Sequence, residues 1–292
     1  MAQEDFDSLV PPVGDFSRRR FVRSALGSGF AAATLPVAAQ TRVKTDEAGL
    51  TAGEVTVDVN GFKMPVYRAA PAGRTGLPVV LVISEIFGVH EYIADVTRRW
   101  AKAGYFAVAP ELFARQGDPQ SYGEIAKILS EIVDKTPDAA VMADLDACLT
   151  WAASQGADTS RSAVTGFCWG GRITWLYAAH SPRVKAAVAW YGRLVGATTS
   201  NTPQHPVDVA ARLHGPVLGL YGGNDTGIAL STVEQMKAAL SRGSAAAQKS
   251  QFVVYPDAPH AFHADYRPTY RQAAAEDGWQ RALAWFKLQG VA

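Results

Sequence analysis

The 292-residue chain has little of several features that would each point to a different class of protein. Its two cysteines, Cys148 and Cys168, are too few for a disulfide framework in a domain of this size. The net charge is only +1, so no field of one sign argues for nucleic acid or an anionic membrane surface. No apolar run is long enough to anchor the chain stably in a bilayer. There is no internal repeat, no glycine-rich phosphate loop and no cluster of metal ligands, so no cofactor is inferred. Apolar residues are plentiful: hydrophobic content is 48%, including seven Trp, ten Tyr and twelve Phe, ample for a packed core.

The first 39 residues read as a segment apart. Ser17-Arg18-Arg19-Arg20-Phe21-Val22-Arg23 has the form of a twin-arginine export motif. A soft Ala/Gly-rich run follows and ends in small residues suited to cleavage after Ala39. The expectation is therefore a signal peptide over 1–39, handled by the twin-arginine translocation machinery, then a linker over 40–54 and one domain over 55–292. The mature protein would be periplasmic or secreted. An oxidising compartment threatens an unpaired thiol, but twin-arginine export carries proteins already folded, which allows a thiol to arrive protected.

Strand-like and helix-like segments alternate along the rest. "EVTVDVNGFKMPVYRA" alternates in polarity around Asn60-Gly61, a hairpin signal. "LPVVLVIS" is a continuous apolar run, as expected of a strand buried on both faces. "YIADVTRRWAKAGY" has helical spacing and stops at Gly104. Further strands are predicted at "FAVAPELF", "RSAVTGFC", "VKAAVAWYG", "PVLGLYGGND" and "QFVVYPDA", separated by helices, with a terminal helix in "YRQAAAEDGWQRALAWFKL". Such alternation implies an α/β domain with a mostly parallel sheet and helices on both faces, whose chemistry gathers at the carboxyl ends of strands.

Four residues fall at such ends. Gly166-Phe167-Cys168-Trp169-Gly170 has the G-x-S-x-G spacing of a nucleophile elbow, with cysteine in the serine position. A strand-to-helix turn exposes its central side chain at a helix N-terminus, which favours a thiolate. Competing readings are a buried structural thiol, a Cys148–Cys168 disulfide and a redox thiol, although no C-x-x-C is present. Cys148, mid-helix among Leu145, Leu149 and Ala152, reads as an inert core residue. Asp225 closes "LGLYGGND" as either a histidine-orienting carboxylate or an ordinary turn residue. His260 follows the last strand; His263, three residues on, competes with it. The order Cys168, Asp225, His260 is the nucleophile–acid–histidine order of α/β-hydrolases. Glu85 ends "VVLVISE" and is either a satisfied surface carboxylate or functional. Trp169 and Tyr191 are placed at the pocket mouth, and His90 at the surface.

Taken together, "SEIFGVHEYI", "PELFARQ", "GFCWGG", "YGGND" and "PHAF" resemble the dienelactone hydrolase family, in order and spacing, over nearly all of residues 55–290. The resemblance implies an α/β-hydrolase fold, a Cys168–His260–Asp225 triad, and a thioester acyl-enzyme formed from a small-molecule ester or lactone. It also implies that Glu85 lies beside the thiol and takes part in switching it on. An oxyanion hole would come from the backbone N–H groups of Trp169 and Ile86, and Arg115 would bind the substrate's carboxylate. The family's second arginine, in H-S-F-x-x-R, is absent: Ala264 stands in its place and Arg267 lies three residues further on. The alternative reading is a non-catalytic binding protein on the same fold.

Overall fold

The computed structural model describes residues 41–292; the twin-arginine motif at 17–23 and the cleavage point after Ala39 lie outside the described residues. Strands β1 (Leu50–Val59) and β2 (Phe62–Pro71) pair without slippage from Leu50↔Pro71 to Val59↔Phe62. Their turn is Asn60-Gly61, both with positive φ (52° and 90°), the backbone a two-residue hairpin of matching twist requires. β2 then runs antiparallel to β4 (Phe106–Pro110). From there every pairing is parallel, through β3 (Pro78–Ile83), β5 (Asp158–Phe167), β6 (Val184–Trp190), β7 (Val217–Gly222) and β8 (Gln251–Tyr255). The spatial order is β1-β2-β4-β3-β5-β6-β7-β8.

All six residues of β3 are buried, so both faces of the sheet must be covered. Helix α1 (Glu91–Lys102) sends Trp100 against Trp279 and Phe286 of the terminal helix, ring centroids 4.5 and 4.9 Å away. A second group contains α2 (Ile125–Glu131), α3 (Asp138–Ser154) and α4 (Trp169–His180); Tyr177 of α4 donates to Asp146 of α3 at 2.9 Å. Short α5 (Pro206–Val209), α6 (Leu230–Leu240), α7 (Ala245–Lys249) and α8 (Gln272–Leu288) complete the domain. Five-residue α7 lies in a run the sequence pattern leaves unassigned, being too short to show a period.

The boundary drawn at residue 54 moves. β1 begins at Leu50, and the residues before it are fastened to the domain rather than strung out as a linker. The Val43 N–H donates to Asp265 at 2.8 Å, the Thr45 N–H to Asp95 at 2.5 Å, and Arg98 donates to the Thr45 carbonyl at 2.8 Å. These partners lie more than 45 residues away, so no local pattern announces them.

The chain leaves β3 for the outer β4 and returns to β5 on β3's other side. That reversal opens a crevice at the carboxyl ends of β3 and β5.

Candidate active site

The crevice is built by close backbone approach. A Cβ at Gly166 would stand 2.3 Å from the Gly170 carbonyl oxygen, and one at Gly170 would stand 2.4 Å from that of Ser84. Only glycine admits the turn and lets the first turn of α4 rest on the end of β3. Between them Cys168 takes φ 55°, ψ −114°, a conformation that costs a non-glycine residue about 1–3 kcal/mol. Tyr191 (φ 39°) and Ala261 (φ 58°), which flank the same site, are the other strained positions outside the hairpin turn among the described residues.

Cys168 is half-buried and unpaired; Cys148 is fully buried with its thiol pushed upward by burial, and no disulfide joins them. Cys168 acts on the His260 ring closely enough to raise the imidazole's pKa. On the other side of the ring, His260 Nδ1 donates to Asp225 Oδ2 at 2.7 Å. Asp225 is held in turn: its Oδ1 accepts the N–H groups of Gly227 and Ile228 at 2.9 and 3.1 Å. Burial opposes charge on His260, but Cys168 and the Asp225 carboxylate outweigh it and raise its pKa to about 10. The arrangement therefore favours the imidazolium form of His260.

Glu85, in the loop after β3, has no solvent exposure. Tyr266 donates its hydroxyl to Oε2 at 2.9 Å, His90 Nε2 approaches the same oxygen at 3.2 Å, and Arg267 lies 3.4 Å from Oε1. Burial alone would raise the carboxyl; the Arg267 charge and the bonds from His90 and Tyr266 prevail and hold it at about 2. Arg267 is itself buried, between the rings of Phe87 and Tyr266 at 4.9 and 5.0 Å, and donates to the Tyr266 hydroxyl at 2.7 Å. Trp169 is the first residue of α4, so its N–H precedes the first helical hydrogen bond. Ile86 follows Glu85 on the facing loop and belongs to a small buried cluster against which Trp169 packs.

Several expectations are corrected. Arg115, expected to bind the substrate's carboxylate, is engaged with Asp144 of α3, to which its two terminal nitrogens donate at 2.7 and 2.8 Å, and its guanidinium lies over Phe62 at 4.1 Å. Tyr191 is not at the pocket mouth but fully buried, edge-on to His260 at 5.2 Å, because its strained backbone turns it inward. His90 is a buried partner of Glu85 rather than a surface residue; its place five residues along the same loop was the available signal. His263 is separate from the thiol contact: it bonds the Tyr92 hydroxyl at 2.6 Å and packs on Trp190 at 4.4 Å. Burial, with Arg99 nearby, pushes its pKa well below the ordinary range. Tyr266 carried no sequence signal. Ala264 is fully buried, so the arginine missing from that position has no foothold there, and Arg267 reaches the site by a different path.

A family model described as the dienelactone hydrolase family matches residues 64–289. A Methylorubrum extorquens protein named "Putative carboxymethylenebutenolidase" is 58% identical over 277 residues, 94% of each chain. An Escherichia coli protein of the same name is 54% identical over 264 residues, 90% of this chain and 96% of its own. A solved structure from Klebsiella pneumoniae, titled as a "Putative Dienelactone Hydrolase", superposes with a TM-score of 0.79 at 55% identity, covering 82% of this chain and 98% of that one.

Proposed function

The chain belongs to the dienelactone hydrolase family, and we propose that it cleaves a small-molecule ester or lactone through a Cys168–His260–Asp225 triad and a thioester intermediate. The observation that carries this reading is the 2.7 Å His260–Asp225 hydrogen bond, with Cys168 raising the pKa of the same ring, the three residues following β5, β8 and β7. Asp225 fixes the ring so that Nε2 faces the sulfur. The thiolate attacks the carbonyl carbon, and the oxyanion is held by the Trp169 and Ile86 N–H groups, each worth about 3–4 kcal/mol where such donors have been removed. The imidazolium gives its proton to the departing alkoxide, leaving a Cys168 thioester. Water, deprotonated by His260, attacks that thioester; the acid departs and the thiolate returns.

Glu85 keeps the role implied by the family resemblance, helping to switch on the thiol when substrate binds. In the resting geometry it is clamped by Tyr266, His90 and Arg267, so a ligand must loosen that clamp before the carboxylate acts.

Export through the twin-arginine route belongs to the same proposal and rests on Ser17–Arg23. Replacing Arg18 and Arg19 by Lys should leave the protein in the cytoplasmic fraction.

The enzymatic test is ester turnover by residues 40–292, with acid quenching and intact-mass detection of an acyl adduct. Loss of both turnover and adduct in Cys168→Ala supports the mechanism. Retained turnover in Cys168→Ala overturns it.

A further inference from the structure

We propose that Glu111 is a positioning residue of this hydrolase: its carboxyl sets the backbone of segment 84–90, and with it the Ile86 N–H that meets the oxyanion. The inference rests on the hydrolase reading above and adds to it a residue outside the triad.

The segment between β3 and α1 carries the Ile86 N–H, yet it has no regular structure of its own. A loop donor stabilises an oxyanion only if it is already in place when the charge develops. Within the segment, the His90 N–H donates to the Gly88 carbonyl at 3.2 Å. The firmer hold comes from outside. Glu111, the first residue after β4, accepts the Val89 N–H on Oε2 at 2.7 Å. Its own N–H donates to the Pro65 carbonyl of β2 at 2.9 Å, so the anchor is itself fixed to the sheet.

Gly88 shows how closely the two parts fit. Its φ is 72°, and a Cβ there would stand 2.6 and 2.8 Å from the two carboxyl oxygens of Glu111. The chain bends around the carboxyl, and only a bare backbone allows it. Glu111 Oε1 is buried with no hydrogen-bond partner. A buried acceptor left idle is uncommon and calls for a reason; here its twin oxygen is committed to the loop. Burial raises the carboxyl to about 7, against the pull of the Val89 bond and with the Asp118 carboxylate adding to the rise. The neutral form is therefore at hand near neutral pH, and glutamine would offer Val89 the same acceptor. A carboxylate kept for its charge would not tolerate that exchange.

The experiment mixes the full-length protein with p-nitrophenyl acetate. The p-nitrophenolate burst gives the acylation rate at saturation and the half-saturating concentration. Glu111→Leu removes the acceptor at similar volume. It should slow saturated acylation by about tenfold or more, with half-saturation within about twofold, because a displaced donor acts on the transition state. Glu111→Gln should keep at least about a third of the wild-type rate. Alkylation of Cys168 by iodoacetamide displaces iodide at a methylene carbon and forms no oxyanion, so its rate should stay within about twofold in both variants. Wild-type acylation in Glu111→Leu, or an equal loss in Glu111→Gln, overturns the proposal. So does alkylation that falls in step with acylation, the mark of general loosening around the thiol. Glu111→Asp, whose carboxyl falls one methylene short of Val89, carries the same test should the leucine protein fail to fold.

Amide hydrogen exchange reads the anchor without turnover. A peptide spanning 84–90 should exchange about tenfold faster in Glu111→Leu than in the wild-type protein, and near the wild-type rate in Glu111→Gln. Unchanged exchange in Glu111→Leu overturns the positioning role. A wild-type protein that gives no burst, with exchange as expected, supports the anchor and counts against the hydrolase reading alone.

Discussion

Arg267 lies 3.4 Å from the Glu85 carboxylate, and neither side chain meets solvent to any useful extent. A buried pair of this kind is more costly to halve than to delete. Arg267→Met should lower unfolding free energy by about 3–5 kcal/mol, because it strands a carboxylate in the interior. Glu85→Leu combined with Arg267→Met should recover most of that loss. Urea unfolding of the two variants checks the pair; equal losses would show that the charges are not coupled.

The same pair sets an acid limit. The Glu85 carboxyl is held at about 2 in the fold against an ordinary value of 4.5. A depressed carboxyl contributes stability that is fully present above about pH 4.5 and is lost as pH falls toward about 2. Unfolding free energy should therefore drop across that window, and the slope should be shallower in the Glu85→Leu/Arg267→Met protein. Parallel acid profiles for the two proteins would remove Glu85 from the account.

Asp225→Asn keeps the shape of the side chain but not its charge. In other triads the equivalent change costs about 10⁴-fold in kcat, and a loss of that order with KM near its original value is expected here. His260 is raised to about 10 partly by Asp225, so wild-type kcat/KM should hold through pH 9 and decline near pH 10. In Asp225→Asn the decline should begin at lower pH. Unchanged alkaline limbs in the two proteins would mean that Asp225 does not sustain the imidazolium.

His263 has the composition of a catalytic residue and the surroundings of a core one. His263→Phe should keep kcat while losing about 1–3 kcal/mol of stability, since the Tyr92 hydroxyl then lacks its buried partner. Loss of kcat in a protein whose stability is otherwise retained would transfer the catalytic role from His260 to His263.

Much of the fold was legible in the sequence because its signals are local. Continuous apolar runs mark buried strands, Asn60-Gly61 marks the hairpin, and alternation of period two with period 3.6 marks a parallel sheet with covering helices. Gly166 and Gly170 around Cys168 betray the elbow because the close backbone approach they permit is a requirement of spacing. The candidate residues Cys168, Asp225, His260 and Glu85 could be picked out because each follows its own strand. Which charges meet was decided only by the tertiary structure. Arg115 and Asp144 are 29 residues apart and Glu85 and Tyr266 are 181 apart, and both pairs form through packing between distant elements. The inward turn of Tyr191, the burial of His90 and the fastening of residues 43 and 45 to Asp265 and Asp95 have the same origin. Desolvation and pairing act over a few ångströms in space, and separation along the chain does not encode them.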